Sequence, residues 1–156
     1  MDIETDIATT VSRLREQGSD DASVEAKAGA GGVAKDVWRS VSAFANSTTG
    51  GRLLFGLDEE DDFRVNEELD PVRITDAVVT GLGDEHSDAA KIRPKPPYKI
   101  STVPFENGRL VRVDIDPLTP LNSDLAGPCY VVSQGPVGGA YKRVADQNQK
   151  LSDQES

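Results

Sequence analysis

The sequence predicts an α+β fold in which a mixed, mostly antiparallel sheet is packed by about three helices. Three observations lead there. Apolar residues recur at helical spacing in three separate stretches, over 5–17, over 33–46 and from Asp70-Pro71 onward. Between them "RLLFGL" (52–57) is too continuously apolar for a half-exposed strand, which places it centrally in a sheet. Later, "YKISTVPF" and "RLVRVDID" flank Glu106-Asn107-Gly108, and Asn-Gly between such runs signals a hairpin. Helices and strands in irregular order give α+β rather than a doubly wound sheet.

Taken in order, Ile7, Val11 and Leu14 at spacings of four and three make the first helix, a unit over residues 1–18. "GSDDAS" breaks it, and "VEAK" (24–27) reads as a short strand. "GAGG" (29–32) is a loop leading into the second helix, where Ala34, Val37, Trp38, Val41, Phe44 and Ala45 form one apolar stripe. Lys35, Asp36, Arg39, Ser40 and Asn46 lie away from that stripe. Asn46 suits a helix end, and Gly50-Gly51 suits the reversal into the central strand.

"DEEDDF" is then an acidic turn, with a short strand near Phe63–Val65. Asp70-Pro71 combines a capping carboxylate with proline at the first helical position, and Ile74, Ala77, Val78 and Leu82 continue the third helix. "GDEHSDAAK" reads as a loop, and "IRPKPP" is extended because its prolines exclude helix. After the hairpin, a loop over 117–128 leads to "CYVV", a Gly-rich turn and "AYKRV". The main domain spans 19–146, and 147–156 reads as a frayed polar tail.

Composition narrows the chemistry. The chain of 156 residues is 37% hydrophobic and 5% aromatic, so its core is built from Val, Leu, Ile and Ala. One cysteine, Cys129, excludes an internal disulfide framework and fits a reducing compartment. No apolar run is long enough to span a membrane, and the N-terminus lacks a signal-type apolar region, so the expected location is cytoplasmic. A net charge of −10 argues against general nucleic-acid affinity. The charge is uneven, however: residues 1–90 hold 8 basic and 20 acidic side chains, while 91–156 hold 9 and 7. Lys91, Arg93, Lys95, Lys99, Arg109 and Arg112 fall in one stretch with Glu106 as its sole acid. With Lys142 and Arg143 they are candidate phosphate contacts, and Tyr98 and Tyr141 are candidate stacking platforms for unpaired bases.

His86 is the single histidine, in an acidic loop without a second His or Cys at ligand spacing, which disfavours zinc. Cys129 reads as a small core side chain. No Walker-type loop occurs, which disfavours a P-loop ATPase; "GAGG" is either a connector or an anion cradle. The acidic constellation is more informative. Glu25 and Lys27 project from one face of a strand, Asp20 precedes them, and Asp58 ends the central strand. A strand Glu and a strand-end Asp can hold Mg²⁺ or Mn²⁺, with a lysine stabilising a scissile phosphate. Equally, these are solvated charges and a surface pair.

"VEAK", a helix ending "SAFAN", "GG", "RLLFGLD" and the later "YVVSQGPVGGAYKRV" together resemble the Schlafen AlbA-type domain, also labelled divergent AAA-type or DNA-binding, over roughly residues 22–146. The resemblance implies a single domain of that fold, found at the N-terminus of longer bacterial and archaeal proteins and often joined to a winged-helix segment. It implies nucleic-acid binding in regulation, including transcription, or in defence, and by older naming ATP binding. Animal Schlafens cut tRNA or rRNA with three carboxylates. By position, Glu25 and Lys27 match their E-x-K motif, Asp58 is the third acid, and Asp20 stands where a glutamate is usual. Three further features depart from the pattern: a three-residue turn before Gly50, Ala26 in place of an aromatic, and one copy of a fold those ribonucleases use twice.

Three functions are therefore in contention: a nucleic-acid-binding module, a metal-dependent ribonuclease, and a protein-interaction or oligomerisation domain. Nucleotide binding ranks behind them for want of a phosphate loop.

Overall fold

The computed structural model describes residues 2–83, 88–118 and 128–151. Helix α1 (Ile3–Gln17) starts where the Asp2 carboxylate accepts the Thr5 N–H at 2.8 Å, and ends where Gly18 turns left-handed. It buries Ile7, Val11 and Leu14. Strand β1 (Val24–Lys27) follows, then helix α2 (Val37–Ala45). Helix α2 starts later than the stripe predicts. The amides of Val37, Trp38 and Arg39 bond to carbonyls three residues back, a tight turn ahead of the helix proper. Its exposure also differs from expectation: every residue except Arg39 is buried, Ser40 included.

The chain continues through β2 (Gly51–Phe55), β3 (Leu57–Asp58), a 3₁₀ turn (Glu59–Asp61), β4 (Arg64–Val65) and α3 (Pro71–Gly81). The Asp70 carboxylate caps α3 by accepting the Val72 and Arg73 N–H groups. Then come β5 (Ile92–Arg93), the hairpin β6 (Tyr98–Phe105) and β7 (Gly108–Ile115), β8 (Tyr130–Val131), a single turn α4 (Gly135–Gly138), β9 (Tyr141–Val144) and β10 (Gln147–Lys150). Strand β10 corrects the tail expectation: Gln147–Lys150 pairs antiparallel with β9.

The main sheet has the order β1-β2-β7-β6, with β1 parallel to β2 and every other pair antiparallel. Strand β2 is interior, as its apolar run requires. Three two-stranded pairings, β3-β4, β5-β8 and β9-β10, surround it. One face, through Leu53, Phe55, Val111, Val113 and Ile115, packs on α2 and α3. The other, through Val24, Ala26, Leu54 and Leu110, packs on α1. The period of two along β1 therefore sends Glu25 and Lys27 to the α2 side.

Candidate functional site

Glu25 sits beneath α2 at the edge strand, with 8% of its side chain exposed. Its Oε1 accepts from Arg143 Nη1 at 3.0 Å, and its Oε2 accepts from the Ser40 hydroxyl. Ser40 in turn accepts from Asn148 Nδ2 at 2.9 Å, and Asn148 Oδ1 accepts from the same Arg143 Nη1 at 2.9 Å. The four side chains close a ring, one each from β1, α2, β9 and β10. Arg143, only 2% exposed, also donates to the Asp21 carbonyl from Nε and Nη2 and lies 5.2 Å over the Phe44 ring. A charge so placed is paired on every side, as burial demands.

Asp20 lies just outside this ring. Its Oδ1 accepts the Ala26 N–H and its own N–H donates to Glu59 Oε2, both at 2.9 Å. Burial raises its carboxyl to about 8; the Ala26 bond opposes this, while the Glu59 hydrogen bond and the charges of Glu59 and Glu25 add to it. Burial works against the Lys27 ammonium too, but the charge of Glu25, the 3.0 Å pair with Asp36 and the charge of Asp20 together raise its pKa. Asp58 does something else. Its carboxylate accepts the Glu60 N–H at 3.1 Å and caps the 3₁₀ turn.

The carboxylates expected to hold Mg²⁺ or Mn²⁺ do not fit that role as placed. Both oxygens of Glu25 are engaged, one by a guanidinium that would repel a cation. Asp58 is spent on a turn, and Asp20 holds the Ala26 N–H. Among the described residues, no three His, Cys, Asp or Glu side chains stand in a metal-holding group. The acid that does reach Asp20 is Glu59, one residue past the one the sequence singled out; alternation along a strand could not reveal it, because the chain leaves the strand at Asp58.

The basic candidates do not form one patch. Arg143 is internal, a correction to its reading as a phosphate contact. Tyr141, 4% exposed, has no free ring face for a base, and its hydroxyl donates to Gln134 Oε1. Tyr98 is half-buried against the core. Arg112, 16% exposed, pairs with Asp114 at 3.4 Å, and Asp114 also holds Arg52 at 2.7 Å. Arg93 and Lys142 are half-buried, while Lys91, Lys95, Lys99 and Arg109 are exposed. Lys95 stands 5.9 Å over the Tyr98 ring.

The remaining candidates settle simply. Cys129 is buried in the core, which pushes its thiol up and makes it inert. The "GAGG" loop offers no cradle at α2, because the first amides there are already bonded to turn carbonyls. His86 lies outside the described residues. Among the described residues, no helix is long and apolar enough to cross a membrane.

Comparison with known proteins agrees with this architecture. The family described as Schlafen, AlbA_2 matches residues 20–152, a span that includes β10. No curated protein matches the sequence. The solution structure of the N-terminal domain of a RecG-related protein from Nitrosomonas europaea is similar at 22% identity and a TM-score of 0.62, over 97% of this chain and 94% of that one. The crystal structure of the DIP2311 protein from Corynebacterium diphtheriae is similar at 17% identity and a TM-score of 0.56, over 94% of this chain but 26% of that one. At such identities the likeness is one of fold.

Proposed function

The chain belongs to the Schlafen AlbA_2 family, and from that premise we propose that it is a nucleic-acid-binding module whose Glu25 is structural rather than catalytic. The observation that carries this reading is the closed ring of Glu25, Ser40, Asn148 and Arg143, which commits both carboxylate oxygens within the protein. Nucleic-acid association is supported by the family and by the RecG-related neighbour's fold. The net charge of −10 confines such binding to local clusters of exposed cations, so affinity falls with salt over a small number of phosphates. A regulatory or defence role fits a module that binds without cutting. Duplex binding by a joined winged-helix segment, or self-association of the domain, would extend its footprint.

The test is a titration of the chain against labelled tRNA and duplex DNA with Mg²⁺ and Mn²⁺ present, read on one gel. Retarded bands that weaken with salt, with no shortened products, are expected. Shortened RNA that disappears in Glu25→Gln would instead establish the ribonuclease. Intact, unshifted nucleic acid at low salt would leave a protein-interaction domain.

A further inference from the structure

Resting on the nucleic-acid reading, we infer that the phosphate backbone is held in the groove between α2 and β10, by Arg39 and Lys150, rather than along the 91–112 stretch. Arg39 is the one exposed residue of α2, and its guanidinium stands 5.8 Å over the Tyr141 ring. Lys150 pairs in register with Tyr141, so its side chain leaves the hairpin on the same face. The two cations border a concave surface of about 620 Å³ whose other lining residues include Gln134, Tyr141 and Asn148.

The polar groups there sort by sign. Asn148 is committed to Arg143 and Ser40, and the Tyr141 hydroxyl to Gln134 Oε1, which leaves the Gln134 amide nitrogen as a donor. No carboxylate lines the groove, although the chain carries 27 acidic residues. Neither Arg39 nor Lys150 pairs with an acid among the described residues. A concave site with two cations and no carboxylate fits an anion, and two cations with an amide donor fit phosphodiester oxygens. The basic run of 91–112 lacks this convergence, since Arg112 answers Asp114 and Lys99 stands opposite that same carboxylate.

The test uses fluorescence anisotropy of a labelled single-stranded RNA and a duplex DNA with the full chain across a salt series. Arg39→Gln/Lys150→Gln is compared with Lys91→Gln/Lys99→Gln; all four side chains are exposed, and thermal melts confirm that both variants stay folded. The groove predicts that the first variant loses about tenfold or more in affinity at low salt. Its log-log salt slope should shrink by about 0.7 per removed charge on single strands and about 0.9 on duplex. The second variant should stay near wild type. Wild-type binding that survives unchanged in Arg39→Gln/Lys150→Gln would overturn the groove and leave the binding reading standing. A wild type that binds neither probe would overturn both.

Discussion

At the scale of single residues, the deciding pair is Glu25 and Arg143, and its two members are not equivalent. Removing Arg143 strips Glu25 of the one cation that hydrogen-bonds to it among the described residues, and takes from the Asp21 carbonyl and Asn148 the donor that Arg143 supplies. Removing the charge of Glu25 leaves Arg143 with those other partners and with an amide oxygen in the same place. Arg143→Ala should therefore cost about 3–5 kcal/mol of unfolding free energy in urea titrations, as for a buried pair broken at one end. Glu25→Gln should cost distinctly less, nearer the ~1–3 kcal/mol of a weakened buried hydrogen bond. Equal losses would mean that the ring does not hold as described. The sequence places Glu25 and Lys27 on one face through simple alternation. It gives no sign that Glu25 answers an arginine 118 residues away, because that contact depends on where the closing hairpin lands.

At the scale of elements, the joint between α2 and β2 shows what local pattern reveals and what it hides. Gly50-Gly51 reads as a reversal, but the two glycines do different work. Gly50 has φ 75° and a Cβ there would stand 2.2 Å from the Ile115 carbonyl oxygen. Gly51 needs no unusual backbone; its Cβ would stand 2.1 Å from the Phe44 ring. Gly51→Ala should therefore cost about 1–3 kcal/mol by overpacking, and Phe44→Leu in the same chain should recover part of that loss. Additive losses in a double-mutant cycle would disprove the contact. Asn46 is another case. Read as a helix end, it also ties α2 to the closing strands, donating to the Cys129 and Tyr141 carbonyls at 3.0 Å and accepting the Cys129 N–H at 2.7 Å. The three helices were legible from apolar periodicity, the central strand from its unbroken apolar run, and the β6-β7 hairpin from Asn107-Gly108 between two strand-like runs. Strand β10 was not: Asn148 meets the polar side chains of Ser40 and Arg143, and Lys150 is exposed, so "QNQK" carries no apolar alternation to detect.

At the scale of the whole molecule, acidity sets how stability responds to pH, and Asp20 gives that response a direction of its own. Its carboxyl moves from 3.8 to about 8 on folding, with Glu59 of the 3₁₀ turn and Glu25 of β1 facing it and Lys27 nearby. Below 3.8 both states hold the proton, and the group contributes nothing to pH dependence. Between 3.8 and about 8 the folded state keeps a proton that the unfolded chain has released, so this group makes stability fall as pH rises. Above that window the cost is complete. Asp20→Asn removes the titration, while its side-chain oxygen can still accept the Ala26 N–H. The variant should match wild type in thermal midpoint near pH 4, gain on it steadily through the neutral range, and hold a constant lead above pH 8. The other acids titrate in both proteins, so the difference between the two curves isolates this carboxyl from the net charge of −10. A difference that stays flat across that range would show that Asp20 ionises freely. The Asp20–Glu59 pair would then be two anions side by side, open to a cation although Glu25 and Asp58 stay engaged.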